Sequence, residues 1–196
     1  TDRKKSVELF REAASDGNPV ALFYLGLACH RGESGACRDR KSAEKYLEKS
    51  ASLGYVPAQY VLAGIYEKEG GARLPQALAL YKRAAGKGYA KAVNNLSLMY
   101  ATGRGTARDE RQAFALMRRC AEEGNAVCQH NLAEYYLQGT GTERDAAAAY
   151  AWASLASTGR PESSALKRQA ESELSAGSTG RARQLSVQLI RRYHSR

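Results

Sequence analysis

The 196-residue sequence contains no apolar run of about eighteen residues, the minimum for a transmembrane helix. Its first residues, TDRKKSVELF, lack the apolar core of a signal peptide. Histidine is scarce. His30, His130 and His194 stand far apart at no metal-ligand spacing and are expected on the surface or in a groove. The four cysteines form two Cys-x7-Cys pairs, which is not a usual zinc spacing. These absences exclude a transmembrane helix and make zinc the weaker reading of the cysteines; no metal and no cofactor are expected. Gly103-Arg-Gly105 and Gly139-Thr-Gly141 are not phosphate loops, because no strand precedes either.

What the sequence does contain is a period. Gly17, Gly54, Gly88, Gly124 and Gly159 are separated by 37, 34, 36 and 35 residues. Three, seven and eleven residues before them stand Ala14, Phe10, Ser6; Ala51, Leu47, Ala43; Ala85, Tyr81, Ala77; Ala121, Met117, Ala113; and Ala156, Trp152, Ala148. Four and eight residues after the first four glycines stand Ala21, Leu25; Ala58, Leu62; Ala92, Leu96; and Cys128, Leu132. Small–bulky–small residues at this spacing share one helical face, and alanine lets a neighbouring helix approach closely. Each glycine is a natural helix C-cap, because it takes the left-handed backbone without steric cost. A recurrence of this length is a stacked array of helix pairs. We call the helix after the glycine A and the helix before it B.

Residues 4–17 read as a leading B helix, followed by A–B repeats over 18–54, 55–88, 89–124 and 125–159. The A-to-B linkers are polar, and Thr106, Asp109 and Asp145 are expected N-caps for B helices. In the second repeat Pro75 suits the first turn of its B helix. An array that opens on a B helix, without an initiator Met, implies that a leader or upstream repeats were removed. Residues 160–196 leave the period. PESSALKRQAESEL reads as a helix, SAGSTG as a loop and RARQLSVQLIRRYH as a final helix, a pair suited to closing the array. The whole is expected to be one continuous domain. Trp152, Leu185, Leu189 and Tyr193 are expected in one apolar seam.

The formal net charge is +10. The positive residues are spread over helical faces and no nucleic-acid motif accompanies them, so nucleic acid is not expected. Charge of this kind steers association with an acidic protein partner. Contact of the arginine-rich tail with an anionic membrane surface is a minor reading.

The pattern A-x3-L-[GAS]-x2-Y, then Gly-x-Gly, Asp and a B helix ending A-x2-G-x3-A resembles the Sel1-like repeat family, of tetratricopeptide type. Ala92, Leu96, Ser97, Tyr100, Gly103, Gly105, Asp109, Ala113, Ala121 and Gly124 carry the resemblance, as do Gly139-Thr-Gly141 and Asp145. It covers residues 4–159, and the second repeat, with Gly70-Gly71 and no Asp, fits it less well. The resemblance implies an all-α, right-handed αα-superhelix, or solenoid, here with a C-terminal capping helix pair. It also implies a non-enzymatic adaptor that binds another protein. Bacterial members are often exported. They include envelope signalling adaptors and immunity proteins that neutralise a secreted antibacterial effector. We therefore expect a monomeric protein-interaction module of the periplasm or secreted space.

Cys120 and Cys128 lie four residues either side of Gly124, at facing ends of two antiparallel helices, within reach of a disulfide. Their spacing resembles the cysteine-rich exported branch of the same family. Cys29 and Cys37 flank an A-to-B linker, a register that departs from that branch, and a second bridge is expected there. Disulfides imply an oxidising compartment. The competing description is that Cys120 and Cys128 are small core residues, standing where other repeats have Ala or Ser. Relatives in that branch have been linked to β-lactam binding or hydrolysis, which is the alternative function. Ser42-Ala-Glu-Lys45 and Ser164-Ala-Leu-Lys167 have the Ser-x-x-Lys spacing, but no Lys-Thr-Gly follows.

The resemblance places the A helices on the concave side of the superhelix. Positions two before, two after and five after the repeated Leu are left free by the repeat and form one stripe per helix. They read Phe23, Leu27, His30; Tyr60, Gly64, Glu67; Asn94, Leu98, Ala101; and His130, Glu134, Leu137. Two carboxylates among twelve residues is too few for a merely solvated face. The mixture of aromatic, aliphatic and amide groups is that of a partner-binding groove.

Overall fold

The computed structural model describes residues 2–33, 36–37 and 39–194, and side chains between residues 5 and 193. His194 has no described side chain, and Ser34, Gly35 and Arg38 of the first linker also lie outside the described residues. Among the described residues the structure is all-α. Its helices are α1 (Asp2–Ser15), α2 (Pro19–His30), α3 (Arg40–Ser52), α4 (Val56–Glu69), α5 (Leu74–Ala85), α6 (Ala90–Thr102), α7 (Glu110–Glu122), α8 (Ala126–Gln138), α9 (Ala146–Gly159), α10 (Ser163–Ser172) and α11 (Ala176–His194). A short 3-10 turn, Gly71–Arg73, precedes α5. Up to Gly159 the even-numbered helices are A and the odd-numbered are B, as the period predicts.

The B-to-A turn is built the same way four times. After α1, Gly17 N–H donates to the Ala14 carbonyl and Asn18 N–H to that of Ala13; Gly54 and Tyr55, Gly88 and Tyr89, and Gly124 and Asn125 repeat the pair of bonds. All four glycines have positive φ, which closes the helix end and reverses the chain. Gly159 departs from this pattern: it ends α9 as a helical residue. Asn18 and Asn125 then cap α2 and α8 with their side chains, whereas Tyr55 caps α4 with backbone alone. At the B helices Asp39, Asp109 and Asp145 are the caps. Thr106 is not, because Asp109 stands directly before α7 and accepts from Gln112 N–H at 2.9 Å.

The chain divides into two compact units, Thr1–Ala92 and Val93–Arg196. In the first, Val7, Ala14, Ala21, Leu22, Leu25 and Ala28 form a core against which Phe10, Ala13, Ala36 and Tyr46 pack. Leu47, Leu62, Tyr66 and Tyr81 continue the buried set. In the second, Leu96, Met99, Met117, Leu132, Trp152, Leu155 and Leu166 are buried. The alanines of the period lie at the close approaches, and Ala43, Ala77, Ala113, Ala121 and Ala156 are fully or almost fully buried. Helix α2 (PVALFYLGLACH) contains no Asp, Glu, Lys or Arg, in keeping with its being covered on most sides, with seven buried residues. Gly26 lets it meet α3: a Cβ there would run into Leu47.

The C-terminal pair differs from expectation in one respect. SAGSTG is not a loop but largely the first turn of α11, which starts at Ala176. Ser178 Oγ accepts from Ser175 N–H at 2.9 Å and Thr179 Oγ1 donates to the Ser175 carbonyl, so hydroxyls complete the helix start despite Gly177 and Gly180. Helix α11 packs along α9. Tyr193 lies 6.3 Å from Trp152 and donates its hydroxyl to the Glu122 carbonyl, and Arg181 pairs with Asp145.

Candidate partner-binding face

In the unit Thr1–Ala92 the A helices α2 and α4 carry the first half of the free positions. Phe23 is only 7% exposed and packs edge-on against Tyr24 and Tyr55, so it supports the face from within and offers no surface to a partner. Its neighbour Tyr24 is 44% exposed in its place. Leu27 is half-buried and His30 exposed. Tyr60 is half-buried between Tyr81 and Tyr89, and Glu67 is half-buried where it accepts the Tyr81 hydroxyl at 2.8 Å. Tyr66, on the core side of α4, donates to Glu48 at 2.7 Å, and burial followed by the nearby Glu48 and Glu44 carboxylates push its phenol upward.

In the unit Val93–Arg196 the face is polar. Asn131 donates to Asn94 across α8 and α6, and Leu98 stands 48% exposed one turn beyond Asn94. His130 Nδ1 lies 2.9 Å from Ser163 Oγ, tying α8 to α10, while its Nε2 is 3.7 Å from the half-exposed Glu134. Leu137 is 5% exposed and therefore leaves the candidate set. The α8–α9 linker turns back to its backbone, with Arg144 Nε donating to the Leu137 carbonyl at 2.7 Å. Each unit thus carries its own A-helix face, aromatic in the first and amide-rich in the second.

The cysteines come together in pairs. Cys29 and Cys37 have Cα atoms 4.8 Å apart, and Cys120 and Cys128 5.7 Å apart, each pair at disulfide distance. Cys120 and Cys128 sit in the last turn of α7 and the first turn of α8, and Gln129 closes the same corner by donating to the Ala121 carbonyl. Gln59 does the same for Ala51 one unit earlier.

Repeated glycine-capped turns, aspartate-capped B helices and buried alanine seams are one module used again and again. The Sel1 repeat profile matches residues 1–18, 19–55, 56–89, 90–125 and 126–159. The chain belongs to the Sel1 repeat family. Among solved structures it is similar to a protective antigen present in uropathogenic Escherichia coli strains that displays an SLR fold. The two are 34% identical, with a TM-score of 0.81 over 95% of this chain and 41% of that one. A Sel1 repeat protein from Oxalobacter formigenes is 26% identical, with a TM-score of 0.68 over 79% of this chain and 64% of that one. Among curated proteins, rat DAP3-binding cell death enhancer 1 is 37% identical over 68 residues, which are 35% of this chain and 13% of that protein. This Sel1 repeat chain thus spans less than two thirds of each of these relatives.

Sel1 repeats mediate protein–protein interaction, and the fold is typically a non-enzymatic scaffold. Of the residues in the two Ser-x-x-Lys strings of this Sel1 chain, Ser42 and Lys167 make contacts within the fold. Ser42 sits in the first turn of α3, where Asp39 accepts its N–H, and that bond leads in holding the Asp39 carboxyl below its usual range. Lys167 lies 5.2 Å from the Tyr150 ring centroid. Ser163, His130 and Glu134 form a chain resembling a nucleophile–base–acid relay, but Ser163 is fully buried where no substrate can reach it. No group of three or more His, Cys, Asp or Glu among the described residues could hold a metal. Among the described residues no helix is long and apolar enough to cross a membrane. Sequence reasoning missed Tyr24, Tyr55 and Tyr89. The available signal was the position after the glycine, which is a capping Asn at Asn18 and Asn125 but Tyr at Tyr55 and Tyr89.

Proposed function

We propose that the chain is a non-enzymatic module of the bacterial envelope that binds a protein partner on the A-helix faces of its units. The supporting observation is that the A-helix faces hold exposed or half-exposed aromatic, aliphatic and amide groups, chiefly Tyr60, Asn94 and Leu98 at free positions and Tyr24 beside one, where a solvated helix would carry charge. The partner is a secreted antibacterial effector neutralised by this chain as its immunity protein, or else a component of envelope signalling. Two cysteine pairs at disulfide distance support an oxidising compartment. The net charge of +10 supports an acidic partner.

The test is capture of partners from an envelope extract on the immobilised chain, with cross-links mapped by mass spectrometry. Cross-links should fall beside Tyr24, Tyr60 and Leu98, and Tyr24→Ala with Tyr60→Ala should weaken binding by about 2 kcal/mol or more, a hot-spot loss. Normal binding by that variant, together with loss on charge reversal at the exposed B-helix residue Arg119, would move the site to the B-helix face. Nitrocefin hydrolysis by the purified chain would replace this reading with the β-lactam alternative.

A further inference from the structure

The unit Thr1–Ala92 carries a row of aromatic rings along its A helices. Phe10 stacks on Tyr24 at 5.1 Å, Tyr24 meets Phe23 at 5.3 Å, and Phe23 meets Tyr55 at 5.2 Å. Tyr60 meets Tyr89 at 5.2 Å, with Tyr81 behind it at 5.9 Å. Tyr55 lies between the two groups. Burial first, and then the neighbouring Tyr24 and Tyr89 phenols, raise its own phenol above the usual value. Phe23 and Tyr81 are buried, but Tyr24 is exposed, and Tyr55, Tyr60 and Tyr89 are half-exposed. The hydroxyls of these last four have no hydrogen-bond partner among the described residues, whereas those of Tyr66 and Tyr81 are taken by Glu48 and Glu67.

We propose that Tyr24, Tyr55, Tyr60 and Tyr89 form a binding row for a proline-rich segment of the partner, held in the polyproline II conformation. The inference rests on the reading of the A-helix faces as a protein-binding surface. Two features favour this ligand. First, flat rings set side by side are what proline rings pack against, and a pre-stiffened ligand loses little entropy on binding. Second, the electrostatics are complementary. A proline-rich backbone offers carbonyl acceptors and few N–H groups, and the row offers unused O–H donors and no ionised side chain. A glycan would also stack on rings. Its hydroxyls call for carboxylates or side-chain amides as well, and the row contains neither.

The experiment titrates the full chain with fluorescein-labelled decaproline, a labelled Gly/Ser decapeptide and an N-acetylglucosamine tetramer. It follows anisotropy for the peptides and tyrosine ring resonances for all three. Decaproline should bind saturably, at least about tenfold tighter than the Gly/Ser peptide. Tyr55→Phe with Tyr89→Phe removes two donors and keeps the rings. It should weaken decaproline by about fivefold or more with no change in melting temperature. Val187→Ala, an exposed residue of the other unit that belongs to neither A-helix face, should leave decaproline binding unchanged. Equal binding of the two peptides, preference for the sugar, or no effect of losing the hydroxyls would overturn the proposal. A chain that captures its protein partner through Tyr60 yet ignores decaproline would overturn this inference alone. One that binds decaproline and captures no partner from the envelope would overturn the cellular reading alone.

Discussion

Gly141 and Gly88 both have positive φ, 69° and 76°, yet they differ in what surrounds them. A Cβ at Gly88 would meet open space, while one at Gly141 would collide with the Glu110 backbone carbonyl at the start of α7. Gly88→Ala should therefore cost about 1 kcal/mol, the strain of a left-handed alanine. Gly141→Ala should cost about 3 kcal/mol or more, because packed backbone must also move. Urea unfolding of the two variants measures the difference. Asp145 is the other instructive residue. Burial pushes its carboxyl up, but the Ala148 N–H and the Arg181 guanidinium outweigh that and hold it below the ordinary 3.8. A depressed carboxyl adds stability that is fully present above the unfolded value and is lost as pH falls through the folded one. Asp145→Asn should thus flatten the loss of stability below pH 3.8, read by thermal melts at stepped pH. Asp145→Ala should cost about 1–2 kcal/mol at neutral pH.

Helix α11 adds cover rather than a further turn of the period. Tyr193 against Trp152, the Tyr193 hydroxyl on the Glu122 carbonyl and the Arg181–Asp145 pair hold it at both ends along α9. Its inward residues Leu185, Leu189 and Tyr193 are half-buried and Ala182 is fully buried. Deleting residues 176–196 would uncover Trp152 and its alanine surroundings. The melting temperature should fall by about 5–10 °C, or the protein should aggregate. An unchanged melt would show that α11 adds no stability to α9. A similar logic applies to α5. It has no capping side chain, and the 3-10 turn and Pro75 start it instead. Arg73 there joins Glu44 and Glu69 while lying 4.5 Å from the Tyr66 ring centroid.

For the molecule as a whole, the cysteines bear on where it works. Intact mass under non-reducing conditions should be lower by two hydrogens for each of the two pairs, Cys29–Cys37 and Cys120–Cys128. Reduction should cost about 2–3 kcal/mol per bridge, the entropy regained on opening so short a loop. Four alkylatable thiols in protein taken from its native compartment would remove the argument for export.

The period of glycines, alanines and bulky residues was enough by itself to determine the helix-pair architecture and almost every turn. The reason is that the repeats close with local interactions: a positive-φ glycine after the first four B helices, an i+3 aspartate cap on α3, α7 and α9, and a face set by helical spacing. The early start of α11 escaped because its cap depends on paired serine hydroxyls in a glycine-rich string that reads as loop. The free positions of the A helices were also visible in the sequence, but their exposure was not. Phe23 and Tyr24 are adjacent, and only packing against Tyr55 and Phe10 decides that Phe23 is buried while Tyr24 reaches solvent. Leu137 sits at a free position, yet it is only 5% exposed. His130 and Ser163 are 33 residues apart and meet only because α8 and α10 lie side by side. Periodicity assigns a side chain to a face; whether that face meets water depends on residues far away in the chain, which only the tertiary structure brings together.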